Sequence, residues 1–344
     1  MKQLFVSVLT GHGVLLPLAA FMLAGMLVFV VASRLAHHAD AIADSSGLGR
    51  LWIGSLLLAA STSMPEIITD INAAAFGVPD IGVGDLFGST LANMLILALL
   101  VMAYERRQLL RQAALDHALV GTLAIVLTAF AGLSIAAGGM GKVFGVGPDT
   151  LAILLIYVTG MRVVFDLTHR TANAPRADRP GEESSPRRVM RRALAGFGAA
   201  TLGLALIAPL LIFSADALAL EAGVSNTFVG TFLVGTTTSF PELAAAIAAV
   251  RLGAIDLAIG NIFGSNAFNM TVLLLMDLAY RGAPLLAAVS RSHTISAGAA
   301  VIALALGVMA ILARTHSRAW VARFIAAMVI VIYGLSVFVL ARTF

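Results

Sequence analysis

Two glutamates lie in the middle of apolar stretches. Each follows a cluster of hydroxyls and a proline: Ser61-Thr62-Ser63-Met64-Pro65-Glu66, and Thr236-Thr237-Thr238-Ser239-Phe240-Pro241-Glu242. A carboxylate at membrane depth costs about 2.5–3.5 kcal/mol even on the lenient insertion scale, so two of them at matching positions call for a compensating ligand. A cation is the natural one. A proline cannot donate to the carbonyl four residues back. Pro65 is therefore expected to free the carbonyl of Ser61, and Pro241 that of Thr237. Unpaired backbone at such depth is tolerated only where it lines a cavity or meets a ligand.

A second polar stretch follows each glutamate: Gly84-Asp85-Leu86-Phe87-Gly88-Ser89-Thr90-Leu91-Ala92-Asn93, and Gly260-Asn261-Ile262-Phe263-Gly264-Ser265-Asn266-Ala267-Phe268-Asn269. Asp85, Ser89 and Asn93 are spaced four apart and share one helix face, as do Asn261, Ser265 and Asn269. The glycines between them suit a small-residue packing seam. The combined donor set is carboxylates, hydroxyls, amide oxygens and freed carbonyls, with no His or Cys in either motif, which selects a hard cation. Calcium accepts about 6–8 oxygens in a flexible cage, whereas magnesium keeps its waters. Two facing glutamates match one divalent ion, or two sodium ions or protons. Exchange by competition for one anionic site follows.

These residues must be carried by membrane helices. The 344-residue chain is 60% hydrophobic and only 12% charged, with mean hydropathy +0.97. Soluble domains carry roughly 25% charged residues. A soluble enzyme, a nucleic-acid binder and a disordered protein are excluded as whole-chain readings. The chain is expected to be an all-α integral membrane protein of about ten spans, near 13–33, 50–76, 80–103, 113–137, 148–166, 193–214, 226–250, 256–279, 293–313 and 321–341, each near the roughly 20 residues a bilayer requires. The first is expected to be retained rather than cleaved as a signal peptide. There are no cysteines, so no disulfide or thiolate chemistry is available. Placing the N-terminus outside puts 17 of the 22 basic residues inside and five (Lys2, Lys142, Arg281, Arg291, Arg342) outside. That split supports the layout, with both termini outside, and explains the net charge of +4 by orientation rather than by a nucleic-acid partner.

The two motifs are copies. Residues 54–97 align with 230–273 without gaps at an offset of 176, retaining Gly54, Leu57, Thr62, Ser63, Pro65, Glu66, Ile71, Gly77, Asp80, Gly84, Phe87, Gly88, Ser89, Asn93, Met94 and Leu97. The chain therefore divides into a five-helix unit at 1–166, a polar cytoplasmic linker at 167–192 and a second five-helix unit at 193–344. Five is odd, so the second unit enters the bilayer from the opposite side. Inverted repeats place a substrate site near the midplane between the copies.

The paired motifs resemble the calcium/cation antiporter superfamily and, within it, the prokaryotic sodium/calcium exchangers. The resemblance rests on Thr62-Ser63-Met64-Pro65-Glu66 with Gly88-Ser89-Thr90-Leu91-Ala92-Asn93, and on Thr238-Ser239-Phe240-Pro241-Glu242 with Gly264-Ser265-Asn266-Ala267-Phe268-Asn269. It implies that Glu66 and Glu242 are the main calcium ligands, that Thr62 and Thr238 add backbone oxygens, and that Ser63, Ser239, Ser89 and Ser265, helped by Asn93 and Asn269, line sodium sites. It also implies that the first and sixth helices slide past the other eight during alternating access. Three departures stand out. Asp85 occupies a position where the family usually has Asn, as the second copy does at Asn261. Thr90 replaces an Asn-type residue. Asn269 is neutral where some exchangers carry an acid. The shared face with Ser89 brings Asp85 into the metal set. Asp70, one turn beyond Glu66, reads as a helix-end residue near the inter-helix turn.

Sodium is the expected coupling ion. The alternative is a calcium (or other cation)/proton antiporter, since desolvated carboxyls also compete for protons. The seven histidines fall near predicted helix ends and loops. From another class, Gly82-Val83-Gly84-Asp85 fits the Gly-x-Gly-Asp signature of intramembrane aspartyl proteases, with Asp70 as second acid. That reading leaves the duplicated glutamates unexplained. A channel would need a continuous pore, whereas the inverted repeat favours a carrier. No enzyme activity and no cofactor are expected; the partners are inorganic cations and the lipid bilayer. One chain carries both halves of the site, so a monomer is expected to suffice, in a prokaryotic inner membrane.

Overall fold

The computed structural model describes residues 2–11, 13–46, 59–60, 62–103, 114–141, 143, 145–169, 186–251, 255–316 and 319–342. The described chain is helical almost throughout. The elements are α1 (Lys2–Leu9), α2 (Leu15–Ser46), α3 (Met64–Ala75), α4 (Pro79–Ala103), α5 (Ala114–Ala137), α6 (Pro148–His169), α7 (Pro186–Ala222), α8 (Asn226–Phe228), a π-helical segment (Val229–Val234), α9 (Gly235–Thr238), α10 (Phe240–Arg251), α11 (Ile255–Ala279), α12 (Leu285–Ala288), α13 (His293–His316) and α14 (Ala319–Ala341). Nine stretches among the described residues are long and apolar enough to cross a membrane. Leu15, Met22, Met26, Leu155, Leu206, Phe324 and Val331 lie on the outer surface of the bundle. With no water to satisfy backbone groups in hydrocarbon, helices carrying such apolar surface are stable only in lipid. The protein is a multi-pass integral membrane protein.

Two details are added to the expected layout. The described part of the span expected at 50–76 is interrupted, in keeping with the proline. Residues 50–58 and Ser61 lie outside the described set, and the helix breaks at Ser63, restarting at Met64 with Pro65 in its first turn. Proline is tolerated there because that amide has no intrahelical partner. Helices extend into both ends of the polar stretch 167–192. α6 continues to His169, and α7 begins at Pro186, where proline again opens a helix. Residues 170–185 lie outside the described set, as do Arg50, Arg106, Arg107 and Arg111.

The packing is symmetric and crossed. α3 lies on α4 as α10 lies on α11. α4 then packs against α13 and α14, while α11 packs against the matching pair α5 and α6. Each half thus sends its third long helix into the other half's last two. α5 also packs on α13, and α2 packs chiefly on α7. These paired contacts are those of an inverted repeat. The large apolar core between the halves holds Leu86, Phe87, Met94, Leu127, Phe263, Met270 and Leu304; a smaller one between α2 and α7 holds Phe21, Val28, Leu204, Leu211 and Phe213.

One end of the bundle is tied by buried polar contacts. Asp277 accepts from the amides of Gly147 (2.6 Å) and Leu285 (2.8 Å), pinning two inter-helix connections. His293 Nε2 lies 3.0 Å from Asp80 Oδ1, joining the first turns of α4 and α13. His293 opens α13, a helix end as expected, and is fully buried there.

Candidate functional site

Both glutamates sit in the first turn of a restarted helix, Glu66 in α3 and Glu242 in α10. The amino end of a helix carries partial positive charge and favours an anion there. Ser63 precedes α3 but makes no side-chain cap. Its hydroxyl instead points at Glu242 Oε1, 3.5 Å away, and Ser265 Oγ reaches the same oxygen at 3.4 Å. The local break that positions Glu66 therefore also lends a hydroxyl to the glutamate of the other half.

The second-half break is made by backbone geometry. In the π-helical segment the amide of Gly235 bonds to the carbonyl of Gly230, five residues back. Such segments concentrate at functional sites because they interrupt the α-helical ladder. α9 then lasts four residues, and the chain turns at Ser239 before Pro241 opens α10. The Gly235 carbonyl collects the Ser239 hydroxyl at 2.8 Å and the Ser89 hydroxyl at 3.4 Å. The Ser61 carbonyl, expected to be freed in the first half, lies outside the described residues.

α4 carries the facing stripe, brought in by a close seam. A methyl at Gly84 would stand 2.9 Å from the Thr231 amide, and one at Gly88 would overlap the Thr231 carbonyl. Glycine is required at both because backbone meets backbone.

The contacts across the centre come in repeat-related pairs. Thr238 Oγ1 lies 3.3 Å from Ser89 Oγ, and Thr62 Oγ1 lies 3.4 Å from Ser265 Oγ. Thr238 Oγ1 donates to Asp85 Oδ1 at 2.7 Å, and Thr62 Oγ1 donates to Asn261 Oδ1 at 3.4 Å. Ser89 Oγ adds a 3.1 Å bond to Asp85 Oδ1. Asn93 Nδ2 donates to Asn266 Oδ1 at 2.9 Å.

Thr62, Ser63, Glu66, Asp85, Ser89, Asn93, Thr238, Glu242, Ser265 and Asn269 are fully buried, and Ser239 nearly so. The structure thus brings most of the expected residues into one buried region. Ser239 is the exception in orientation, because its hydroxyl turns back on its own helix. Asn261 and Asn266 are participants that the sequence reading did not assign. Asn261 could have been found as the repeat mate of Asp85, and Asn266 from its place beside Ser265.

The region is acidic. Glu66, Asp70, Asp85 and Glu242 are all buried, and no lysine or arginine is buried among the described residues. Both carboxylate oxygens of Glu66, Oε2 of Glu242, both amide atoms of Asn269 and Oδ1 of Asn93 have no hydrogen-bond partner among the described residues. Buried polar groups are almost always paired, and acceptor oxygens left over in a dry interior suit a desolvated cation. Asp70, one turn past Glu66 on α3, is wholly buried, and its carboxyl lies against that of Asp85, with which it shares a hydrogen bond.

Known proteins share this plan. The Inner membrane protein YrbG of Escherichia coli (strain K12) is 29% identical over 265 residues, covering 74% of this chain and 77% of YrbG. The solved structure of native YfkE superposes with a TM-score of 0.65 at 18% identity, covering 99% of both chains. The sodium-calcium exchanger NCX_Mj, in a structure soaked with 100 mM Na+ and 10 mM Sr2+, superposes with a TM-score of 0.55 at 20% identity, covering 94% of this chain and 98% of that one. The family model described as sodium/calcium exchanger protein matches residues 16–162 and 192–342, so this chain belongs to that family.

Proposed function

We propose that the protein is a secondary active antiporter that exchanges calcium for sodium across the membrane by alternating access. One observation carries this reading. Two repeat-related glutamates are buried together at the crossing of the halves, with three carboxylate oxygens left for a ligand. Glu66 and Glu242 are the main calcium ligands, their two charges matching one divalent ion. Thr62 and Thr238 contribute backbone oxygens. Ser63, Ser239, Ser89 and Ser265, with Asn93 and Asn269, serve the sodium ions that compete for the same centre, and Asp85 sets the polarity of the first half.

Alternating access follows from the packing. α2 and α7 lie mainly on each other and carry none of the site residues. Sliding that pair past the remaining helices would open the centre first to one side and then to the other. The ten-span layout with both termini outside is supported by the 17 to 5 distribution of basic residues. The units are 1–166 and 193–344, with the polar linker between them. The setting is an inner membrane, as in the name of YrbG, and a monomer suffices because both motifs reside on one chain. Calcium and sodium are cargo, not cofactors.

The protease reading is set aside. The chain belongs to an exchanger family, and Asp85, the aspartate of the Gly-x-Gly-Asp match, accepts hydrogen bonds from Thr238 and Ser89.

The test is radioactive calcium uptake into proteoliposomes loaded with sodium, repeated with a pH gradient and no sodium. Uptake driven by the sodium gradient is expected. Uptake that only the pH gradient drives would make protons the coupling ion instead.

A further inference from the structure

The two halves treat one buried asparagine differently. Asn93 of α4 and Asn269 of α11 are repeat mates, and so are Thr90 and Asn266, at the same offset of 176. All four are fully buried, and α4 and α11 pack on each other. Asn93 Nδ2 donates to Asn266 Oδ1 at 2.9 Å. The two-fold relation of the halves sets residue 90 toward Asn269 as it sets Asn266 toward Asn93. Thr90 does not return the contact. Its hydroxyl donates instead to the Leu86 carbonyl of its own helix at 3.0 Å, the back-bonding that threonine makes one turn along. Asn93 Oδ1, Asn266 Nδ2 and both amide atoms of Asn269 have no hydrogen-bond partner among the described residues. Buried amides with open atoms are rare enough to need a reason.

We infer that Asn266 is a positioning residue for the ion centre: it fixes the amide of Asn93 and so sets the sodium affinity, while Thr90 gives Asn269 no such support. The inference rests on the exchange reading, in which both asparagines serve sodium. An amide carries its acceptor and its donors on opposite sides of one planar carbon. Tying Nδ2 of Asn93 to α11 leaves Oδ1 as the free atom and holds it in one place. The reverse orientation, with Asn93 accepting, would leave only a donor free, and a donor cannot bind a cation. Asn93 shares its helix face with Asp85 and Ser89, so the fixed oxygen belongs to that stripe. Asn269 holds the matching place beside Asn261 and Ser265, but its amide must be ordered when an ion arrives. Ordering one such side chain on binding lowers affinity by roughly 2- to 10-fold. Asn93 is thus the pre-organised ligand and Asn269 the adaptable one.

The test uses the purified full-length protein at constant pH, with radioactive calcium as the probe and sodium as the competitor. Asn266→Thr and Thr90→Asn each place in one half a residue that the other half already buries. Asn266→Thr is expected to raise the sodium concentration that halves bound calcium by roughly 2- to 10-fold, with a smaller change in calcium affinity when sodium is absent. Thr90→Asn supplies the missing partner of Asn269 and is expected to lower that sodium concentration. Because Asn266 acts through Asn93, adding Asn266→Thr to Asn93→Ala is expected to change nothing further. An unmoved sodium midpoint in Asn266→Thr, equal losses of sodium and calcium affinity, or a further loss on the Asn93→Ala background would overturn the inference. If Asn266→Thr does not fold, Thr90→Asn decides, and an unmoved midpoint there would overturn it. Wild-type protein that binds sodium but no calcium would sink the exchange reading alone, and radioactive sodium binding to the same variants would then decide the role of Asn266. Binding of neither ion would overturn both.

Discussion

Thr238 donates to Asp85 at 2.7 Å, while its repeat mate Thr62 donates to Asn261 at 3.4 Å. The contact is the same in both halves and the acceptor differs, a carboxylate in one and an amide in the other. Hydrogen bonds to ionised acceptors are shorter and roughly twice as strong as neutral ones. Thr238→Val should therefore cost more thermal stability than Thr62→Val, by about 1 kcal/mol. Melting curves of the two variants in one detergent check the order, and equal losses would mean that Asp85 is not acting as a charged acceptor.

Glu66→Gln and Glu242→Gln should each abolish sodium-driven calcium uptake while the protein remains monodisperse. Each removes one of two charges that balance a divalent ion, and neither changes side-chain volume. Flux in proteoliposomes reads the effect. Wild-type transport in either variant would refute a two-carboxylate centre.

Gly88→Ala should prevent assembly or cost about 3 kcal/mol or more, because the new methyl meets the Thr231 carbonyl of the π-helical segment, not a yielding side chain. Gly298→Ala on α13 is the control. A methyl there meets nothing within 4 Å and should be neutral or slightly stabilising. Yield and melting temperature of the pair separate seam packing from a general intolerance of glycine replacement.

His293→Ala should lower stability by about 1–3 kcal/mol, since it strips Asp80 of a 3.0 Å partner at the junction of α4 and α13. The Asp80 carboxylate would keep the Ser290 amide at 2.7 Å, so the fold should survive. Thermal unfolding measures the loss. Calcium uptake per folded molecule should change far less than in the glutamate variants, because His293 is not a ligand.

Much of the centre was legible because of the duplication. Glu66 and Glu242 stand out on cost alone, and the stripes Asp85–Ser89–Asn93 and Asn261–Ser265–Asn269 follow from a spacing of four. The burial of Asp70 was not legible, since a position one turn from a predicted connection carries no sign of burial until a second helix is laid over it. The break at Ser63 was hidden for a similar reason. Proline predicts a disturbed ladder, but not that the serine before it gives its hydroxyl to the opposite glutamate instead of to its own helix.

The sequence by itself determined the membrane class, the repeat and the chemistry of the donor set, because hydropathy, periodicity and residue type are properties of the chain and need no neighbours. Only the tertiary structure decided which donors meet. The crossing of α4 and α11 into opposite halves brings Thr238 to Asp85 and Ser63 to Glu242, residues far apart along the chain. It also buries Asp70 against Asp85. Pairing across an inverted repeat depends on how helices cross, and crossing is set by side-chain packing between segments that one segment's sequence does not specify.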